Sequence, residues 1–251
     1  MRIPFWQSEW QDIPFNSLKV PLSPFKRPSS LFYVAFYNEI FTKYENFEKL
    51  PLKWRKIKAD TAKAINGIIG AKSSVLSVGC GLGFVERSLI EINPTLKVDT
   101  FDFADTAKKW LKDIKAINCL TKLDSTKKYE LIYCSQLLYA LSDKEINGLA
   151  KFVLKHLDEG GRFLTVDTSL NPSENSQKTI GIKLKLINLI KVFLHPFYYL
   201  LLRRGSVQFW GWQRNNSEII KLLKSNGLTL EKKQSNVEQS FLIFNSTIDY
   251  Q

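Results

Sequence analysis

The sequence VLSVGCGLGFVER, from Val75 to Arg87, decides the fold of this chain. It opens with an apolar, partly β-branched run that favours a buried strand, and it ends in residues that can begin a helix. Between them lie Gly79, Gly81 and Gly83, whose lack of a side chain lets a ligand approach the main chain closely. Because the start of a helix offers unpaired N–H groups to an anion, the stretch predicts a strand, a ligand-binding turn and a helix.

The spacing of these glycines separates two kinds of nucleotide site. A dinucleotide site of the NAD type has the pattern G-x-G-x-x-G, in which the third glycine packs the helix against the strand. The present pattern is G-x-G-x-G, and Phe84 stands where the longer pattern needs glycine. An ordinary tight turn between a strand and a helix can also carry glycines, so the pattern needs support from elsewhere in the chain.

A carboxylate, Asp102, lies at a distance from the glycines that is typical of a nucleotide site. The sequence LKVDTFDF, Leu96–Phe103, predicts a second strand that ends in Asp102, about 20 residues beyond the glycines. A carboxylate at that place can accept hydrogen bonds from both hydroxyls of a ribose. The alternative is an ordinary helix N-cap, for which Asp105 competes ahead of a predicted helix over Thr106–Ile114.

The second half of the chain continues the alternation of strands and helices. The sequences YELIYCSQLLYALSDKE and HLDEGGRFLTVD predict a strand, a helix with a Ser142–Glu145 capping box, and another strand. A short helix over Ser217–Asn226, with Ser217 as its N-cap, precedes a closing pair of antiparallel strands. The predicted strands are Tyr129–Cys134, Arg162–Val166, Leu228–Lys232 and Phe241–Asn245.

These blocks together resemble the class I S-adenosylmethionine (SAM) dependent methyltransferases, over roughly residues 72–170. The resemblance implies an α/β fold with a Rossmann-like, seven-stranded, mainly parallel sheet, a C-terminal antiparallel hairpin and helices on both faces. It also implies SAM as the cofactor and in-line transfer of its methyl group to an acceptor. Positioning supplies much of such catalysis, so no fixed triad is expected and no catalytic residue is assigned.

The resemblance further implies which residues bind the cofactor. Asp102 would bind the ribose, Phe103 would lie against the adenine, and either Asn118 or Cys119 would contact the adenine amino group. Most family members have an acidic residue at position 77 that organises the methionine end of SAM, and this chain has Ser77 there. The predicted cofactor-binding set is Ser77, Gly79, Gly81, Gly83, Asp102, Phe103, Cys119 and Ser135.

We expect two parts in the chain: an N-terminal arm and helical cap over residues 1–70, and the SAM-binding domain over residues 71–251. Prolines between aromatic residues in the first 30 positions favour an extended arm. Residues 171–215 are predicted to contain a helical lid, which is apolar on one side and basic on the other, and then an aromatic turn around Gly211. The predicted substrate-binding residues are Tyr33, Tyr37, Tyr139, Trp210 and Trp212.

The acceptor follows less directly from the sequence. The apolar lid and the aromatic residues favour a small or lipid-linked molecule, and the motifs of enzymes that methylate nucleic-acid bases are missing, so nucleic acid is not expected as a partner. A base is needed only if the acceptor loses a proton, and Tyr139, Asp167 and His195 are candidates. Ser77 leaves open a non-catalytic binding or partner protein, and the net charge of +12 leaves open an RNA methyltransferase.

Composition also bears on location. Three cysteines and no apolar stretch at the start favour a reducing, cytoplasmic environment. The basic, amphipathic lid leaves peripheral contact with an acidic membrane surface as an alternative. No metal is expected, because His156 and His195 are isolated from each other and from any pair of cysteines.

Overall fold

The computed structural model describes residues 3–69, 74–104, 109–124, 126–168, 207–235 and 239–246. Short strands and helices precede the glycine turn: β1 Ile3–Gln7, β2 Glu9–Trp10, β3 Ile13–Pro14, α1 Ser30–Lys43 and α2 Leu52–Asn66. Strands and helices then alternate along the chain. They are β4 Ser74–Val78, α3 Phe84–Ile92, β5 Lys97–Phe101, β6 Ile117–Leu120, β7 Tyr129–Ser135, α4 Asp143–His156, β8 Leu157–Thr168, β9 Gln208–Gln213, α5 Asn216–Lys224, β10 Leu228–Ser235 and β11 Gln239–Ser246.

Seven of the described strands form one sheet, in the order β10-β11-β8-β7-β4-β5-β6. The strands from β4 to β8 are parallel, while β11 runs antiparallel to both β8 and β10. The predicted seven-stranded, mainly parallel sheet with a C-terminal antiparallel hairpin is therefore confirmed. The strand order reverses beside β4, and open α/β sheets bind ligands at the carboxyl ends of the strands at such a point.

Helices cover both faces of this sheet because its central strands are buried on both sides. Val75 and Leu76 are neighbours on β4, so their side chains point to opposite faces, and each is at most 1% exposed. Val75 packs in a cluster with residues of α2 and α3, whereas Leu76 packs with residues of α4 and α5. The apolar runs read from the sequence are thus strands enclosed between two helical layers, as in parallel sheets generally.

The N-terminal arm is joined to the body by strand pairing. β1 pairs antiparallel with β9, and the arm is held further by a hydrogen bond from the Ser23 N–H to Gln208 Oε1 at 3.0 Å. The predicted aromatic turn around Gly211 is wrong, because this glycine lies within the extended strand β9. Only glycine fits at this position, because the main chain of Tyr139 lies so close that a Cβ on residue 211 would be 2.1 Å from the Tyr139 carbonyl oxygen.

Two local predictions are also corrected. The expected helix over Thr106–Ile114 is not α-helical in its described part, 109–114, where Trp110 is held by edge-on packing against Phe47. The last helix begins earlier than expected, because Asn215 rather than Ser217 caps it and accepts a hydrogen bond from the Glu218 N–H. The capping box of Ser142 and Glu145 is present as predicted.

Much of the predicted lid lies outside the described residues. This includes residues 171–206 and with them His195, while the described end, 207–215, contains β9. Within the described parts of the chain, no helix combines the length and the hydropathy needed to span a bilayer.

Candidate active site

A cavity of about 730 Å³ lies at the carboxyl ends of the central strands. Gly79 follows β4, Asp102 follows β5 and Ser135 ends β7, and all three line this cavity, which we call the main cavity. Because the carboxyl ends of parallel strands share one edge of a sheet, residues distant in the sequence meet here. The volume falls in the range of roughly 300–1,000 Å³ found for small-molecule sites.

The glycine turn and the second-strand carboxylate are in direct contact. The main-chain N–H of Gly81 donates a hydrogen bond to Asp102 Oδ2 at 2.8 Å, and the N–H of Ala104 donates to Oδ1 at 2.9 Å. Gly79 and Gly81 have φ angles of 75° and 56°, in the left-handed region that other residues rarely adopt. The turn therefore places main chain and a carboxylate side by side on the wall of the main cavity.

Three residues of the predicted site do not line the main cavity. Gly83 has a packing role instead, because a Cβ at this position would lie 2.2 Å from a methyl carbon of Leu111. Cys119 on β6 is half-buried against the aromatic cluster under α1. Trp210 on β9 is 1% exposed and stacks on Phe15 at 5.1 Å between ring centroids.

Aromatic side chains form a wall of the main cavity. Tyr33 and Tyr37 come from α1, and the Tyr37 hydroxyl lies 3.1 Å from the point that a Cβ on Gly81 would occupy. Phe103 is 59% exposed and contacts Tyr33 edge-on at 5.2 Å. Burial raises the pKa of both tyrosines above its ordinary range, so their hydroxyls stay protonated. The predicted residues on this wall, which we call the aromatic wall, are Tyr33, Tyr37, Phe103, Tyr139 and Trp212.

The sequence analysis missed Glu86, which lies in the first turn of α3 and lines the main cavity. The side chain is 1% exposed, and its Oε1 accepts hydrogen bonds from Ser77 Oγ at 2.5 Å and from the Tyr133 hydroxyl at 2.6 Å. Its Oε2 is buried and has no hydrogen-bond partner among the described residues. Burial raises the pKa of Glu86, although both hydroxyl donors, its own main-chain N–H and the charge of Lys58 oppose that shift. The signal in the sequence was Ser77, a serine where an acid was expected.

A second cavity of about 280 Å³ shares Trp10, Gln136, Tyr139 and Trp212 with the main cavity. Asp167 follows the buried part of β8 and lines this second cavity, and its Oδ2 is buried without a hydrogen-bond partner from any described residue. Burial raises the pKa of Asp167 to about 7, against the opposing charge of Arg214. The second cavity therefore contains a carboxyl group that changes charge near neutral pH.

Arg214 stabilises the turn that separates the two cavities. Its guanidinium donates hydrogen bonds to the carbonyl oxygens of Leu138 at 2.8 Å and Leu141 at 2.7 Å, and to Asp143 at 2.8 Å. These carbonyls flank the turn that carries Tyr139, so the arginine fixes the position of a residue that both cavities share.

The comparisons with known proteins assign the family. The family described as "Methyltransferase domain" matches residues 47–237, which is more than half of the chain. The chain belongs to this family. The resemblance to class I SAM-dependent methyltransferases is thereby confirmed, and the strand order and the glycine turn are those of that class.

Solved structures share the fold of this methyltransferase family member. Human N-acetylserotonin methyltransferase in complex with SAM has a TM-score of 0.57 and 15% identity over 87% of this chain and 57% of that one. CalO1, a methyltransferase of calicheamicin biosynthesis bound to S-adenosylhomocysteine (SAH), also has a TM-score of 0.57 and 15% identity, over 86% and 57%. A glycopeptide N-methyltransferase has a TM-score of 0.53 and 10% identity, over 75% and 90%.

These similarities support the fold and no more, because the identities are low. The chain spans 57% of the length of each of the first two structures. No curated protein sequence matches it.

Proposed function

We propose that the chain transfers a methyl group from SAM to a small, largely apolar acceptor. The observation that carries this proposal is the contact between Gly81 and Asp102 on the wall of the main cavity. The family match and the SAM-bound and SAH-bound relatives support it. Residues 1–70 are proposed as a cover for this cavity, to which they contribute Tyr33 and Tyr37.

The residues present fit the proposed cofactor. Gly79 and Gly81 line the cavity; the Leu137 side chain lies 3.0 Å from the point that a Cβ on Gly79 would occupy, and the Tyr37 hydroxyl lies 3.1 Å from that of Gly81, so a nucleoside would approach the turn beside these two side chains. Asp102 offers a carboxylate suited to the hydroxyls of a ribose. The buried, unpartnered Oε2 of Glu86 offers a further acceptor for a donor group, so the cavity carries polar groups that the protein itself does not satisfy.

When bound, SAM supplies a methyl group on a positively charged sulfur, already activated for transfer. The chain's own residues then have to bind and orient the two molecules and exclude water. Asp102 and the glycine turn hold the nucleoside, with Phe103 against its adenine, and the tyrosines and Trp212 of the aromatic wall hold the acceptor. Fixing the two reactants in a productive arrangement can lower the barrier by roughly 7–11 kcal/mol.

The acceptor is proposed to contain a flat, apolar ring. Tyr33, Tyr139 and Trp212 present ring faces and edges to the main cavity, and aromatic groups pack well against such surfaces. The relatives support a small molecule, since one is named for N-acetylserotonin and another for calicheamicin biosynthesis. A ring hydroxyl is the proposed acceptor group.

A hydroxyl acceptor must lose its proton. Asp167 lines the second cavity rather than the main cavity, so it is the proposed base for an acceptor whose hydroxyl reaches past Tyr139, which both cavities share, into the second cavity. Burial raises the pKa of Tyr139 above its ordinary range, so this tyrosine stays protonated, and His195 lies outside the described residues. Asp167 has a buried, unpartnered oxygen and a pKa of about 7, which suits proton transfer near neutral pH. We expect kcat to rise with pH and to level off above about pH 7, and Asp167→Asn to abolish this rise.

Calorimetry and a methyl-transfer assay test the proposal. SAH and SAM should bind to the purified protein, and radiolabelled methyl should pass to phenols, indole alcohols or long-chain quinols rather than to RNA. Binding without transfer to any of these would favour the non-catalytic partner protein that Ser77 left open. The proposal fails if neither SAM nor SAH binds at millimolar concentration.

A further inference from the structure

Ser77 stands where an acid was expected, and the structure places the carboxylate of Glu86 next to it. Ser77 Oγ donates a hydrogen bond to Glu86 Oε1 at 2.5 Å, although the two residues belong to different elements, β4 and α3. Both line the main cavity. A carboxylate is therefore present beside position 77, but it comes from the helix that follows the glycine turn.

The hydrogen bonds of Glu86 leave one of its oxygens open. Ser77 and Tyr133 both donate to Oε1, while Oε2 is buried and has no partner in the part of the chain that the structure describes. Leaving a buried acceptor unpaired costs free energy, and buried polar groups in native proteins are nearly always paired with protein, water or ligand. An oxygen of this kind on a cavity wall is suited to a donor that arrives with a ligand.

Among the described residues, Glu86 also forms no ion pair. Lys58 on α2 lines the same cavity, and its positive charge opposes the rise in the pKa of Glu86. Nevertheless, the ion pairs among the described residues do not include one between Lys58 and Glu86. A ligand group that brings both a positive charge and N–H donors would satisfy the charge and the open oxygen together.

From this geometry we infer that Glu86 binds the ammonium group at the amino-acid end of the cofactor, in place of an acid at position 77. The inference rests on the proposed binding of SAM in the main cavity. Asp102 takes the ribose, so Glu86 is the remaining described carboxylate beside the glycine turn that lines the cavity with an open oxygen. Ser77 and Tyr133 act as positioning residues that hold the carboxylate by its other oxygen.

Two ligands separate this role from a general effect on the cavity. SAH carries the amino-acid end but no sulfonium charge, whereas 5′-methylthioadenosine has the same nucleoside and thioether without the amino-acid end. Both should bind to the wild-type protein in calorimetry. Glu86→Gln should weaken the binding of SAH roughly ten- to hundred-fold, the range for loss of one charged hydrogen bond, and leave the binding of 5′-methylthioadenosine unchanged.

Matched variants control the experiment. Glu91→Gln changes an acid of the same helix that is exposed and paired with Arg87, so both affinities should stay at the wild-type level. Ser77→Asp combined with Glu86→Gln returns the carboxylate to the strand and should recover most of the lost affinity for SAH. Ser77→Asp alone should not improve binding, because two buried carboxylates in contact would share a proton.

The outcomes distinguish this inference from the proposed function. If the wild-type protein binds neither ligand, the proposed function fails, and the inference fails with it. If both ligands bind but Glu86→Gln changes their affinities equally, or changes neither, the proposed function stands and the role of Glu86 is wrong. Unchanged binding of 5′-methylthioadenosine also shows that the variant has kept its folded cavity.

Discussion

The main-chain N–H of Gly81 donates a hydrogen bond to Asp102 Oδ2 at 2.8 Å, across 21 positions of sequence. The glycine turn and the second-strand carboxylate, which the sequence presents as separate motifs, are therefore one unit. The carboxylate fixes the turn with one oxygen and the start of the next loop with the other. Changes at either residue should thus disturb the same binding surface.

Asp102→Asn should reduce the affinity for SAH. The amide keeps the shape of the side chain but removes the charge and one acceptor, which is worth about 1.5–3 kcal/mol for a charged hydrogen bond. Calorimetry should then show an affinity roughly ten- to hundred-fold lower. Asp113→Asn, at an exposed position, serves as the matched control and should bind SAH like the wild type. Equal affinities for the two variants would contradict the role of Asp102.

Two glycine-to-alanine changes should have opposite effects on stability. Gly81 has a φ angle of 56° and its Cβ would lie 3.1 Å from the Tyr37 hydroxyl, so Gly81→Ala should lower the free energy of unfolding by about 1 kcal/mol or more. Gly148 lies within α4 with open space around its Cβ position. Gly148→Ala should raise the free energy of unfolding by about 0.5–1 kcal/mol. Denaturant titration measures both, and a stabilising Gly81→Ala would show that the turn is not constrained.

Arg214→Lys should destabilise the protein although it keeps the charge. A lysine cannot reproduce the fork that reaches the carbonyls of Leu138 and Leu141, and one or both would be left unpaired. We expect a loss of about 3 kcal/mol in the free energy of unfolding, the order of magnitude for a buried, hydrogen-bonded charge.

Arg162→Lys is the control for this prediction. Its side chain is 44% exposed and pairs with Glu231 at the surface, where such pairs contribute about 0–1 kcal/mol. Equal losses in the two variants would mean that the buried carbonyl contacts of Arg214 do not stabilise the fold.

The stability of the protein should depend on pH through Asp167. Burial raises the pKa of this group from 3.8 to about 7, so the folded state binds its proton more tightly than the unfolded state does. The stability that this adds is present below about pH 4 and is lost as the pH rises through 7. Asp167→Asn removes this contribution. Glu86 is another buried carboxyl group with a raised pKa, but it is present in both proteins, so its effect cancels when they are compared.

Denaturant titrations at intervals from pH 4 to 8 would measure this dependence. The free energy of unfolding of the wild type relative to Asp167→Asn should fall across that range and be flat above it. Parallel curves for the two proteins would show that the proton of Asp167 is not coupled to folding.

Local patterns predicted most of the strands and helices, and the family resemblance implied that seven strands form one mainly parallel sheet. The apolar run at Val75–Val78, the glycines and the capping box of Ser142 each specify their own element, and the alternation of elements specifies a parallel sheet. Asp102 could be predicted as well, since its distance from the glycines places it at the same edge of the sheet.

Other parts of the site depend on contacts between distant segments and could not be predicted. Trp210 was predicted at the substrate; in the structure it packs on Phe15 and lines the second cavity rather than the main cavity. Glu86 looked like an ordinary acid in the first turn of a helix, where acids are common. Its burial becomes visible only when Tyr133 and Ser77, from two neighbouring strands, meet its carboxylate.

The pairing of β1 with β9 has a practical consequence for handling the protein. These two strands form a sheet of their own, so removal of the first seven residues would leave the main-chain groups of Gln208–Gln213 unpaired along one edge. An uncovered strand edge rich in tryptophan and phenylalanine is a template for pairing with a second chain. Proteolytic trimming at this end is thus expected to promote self-association of the shortened protein.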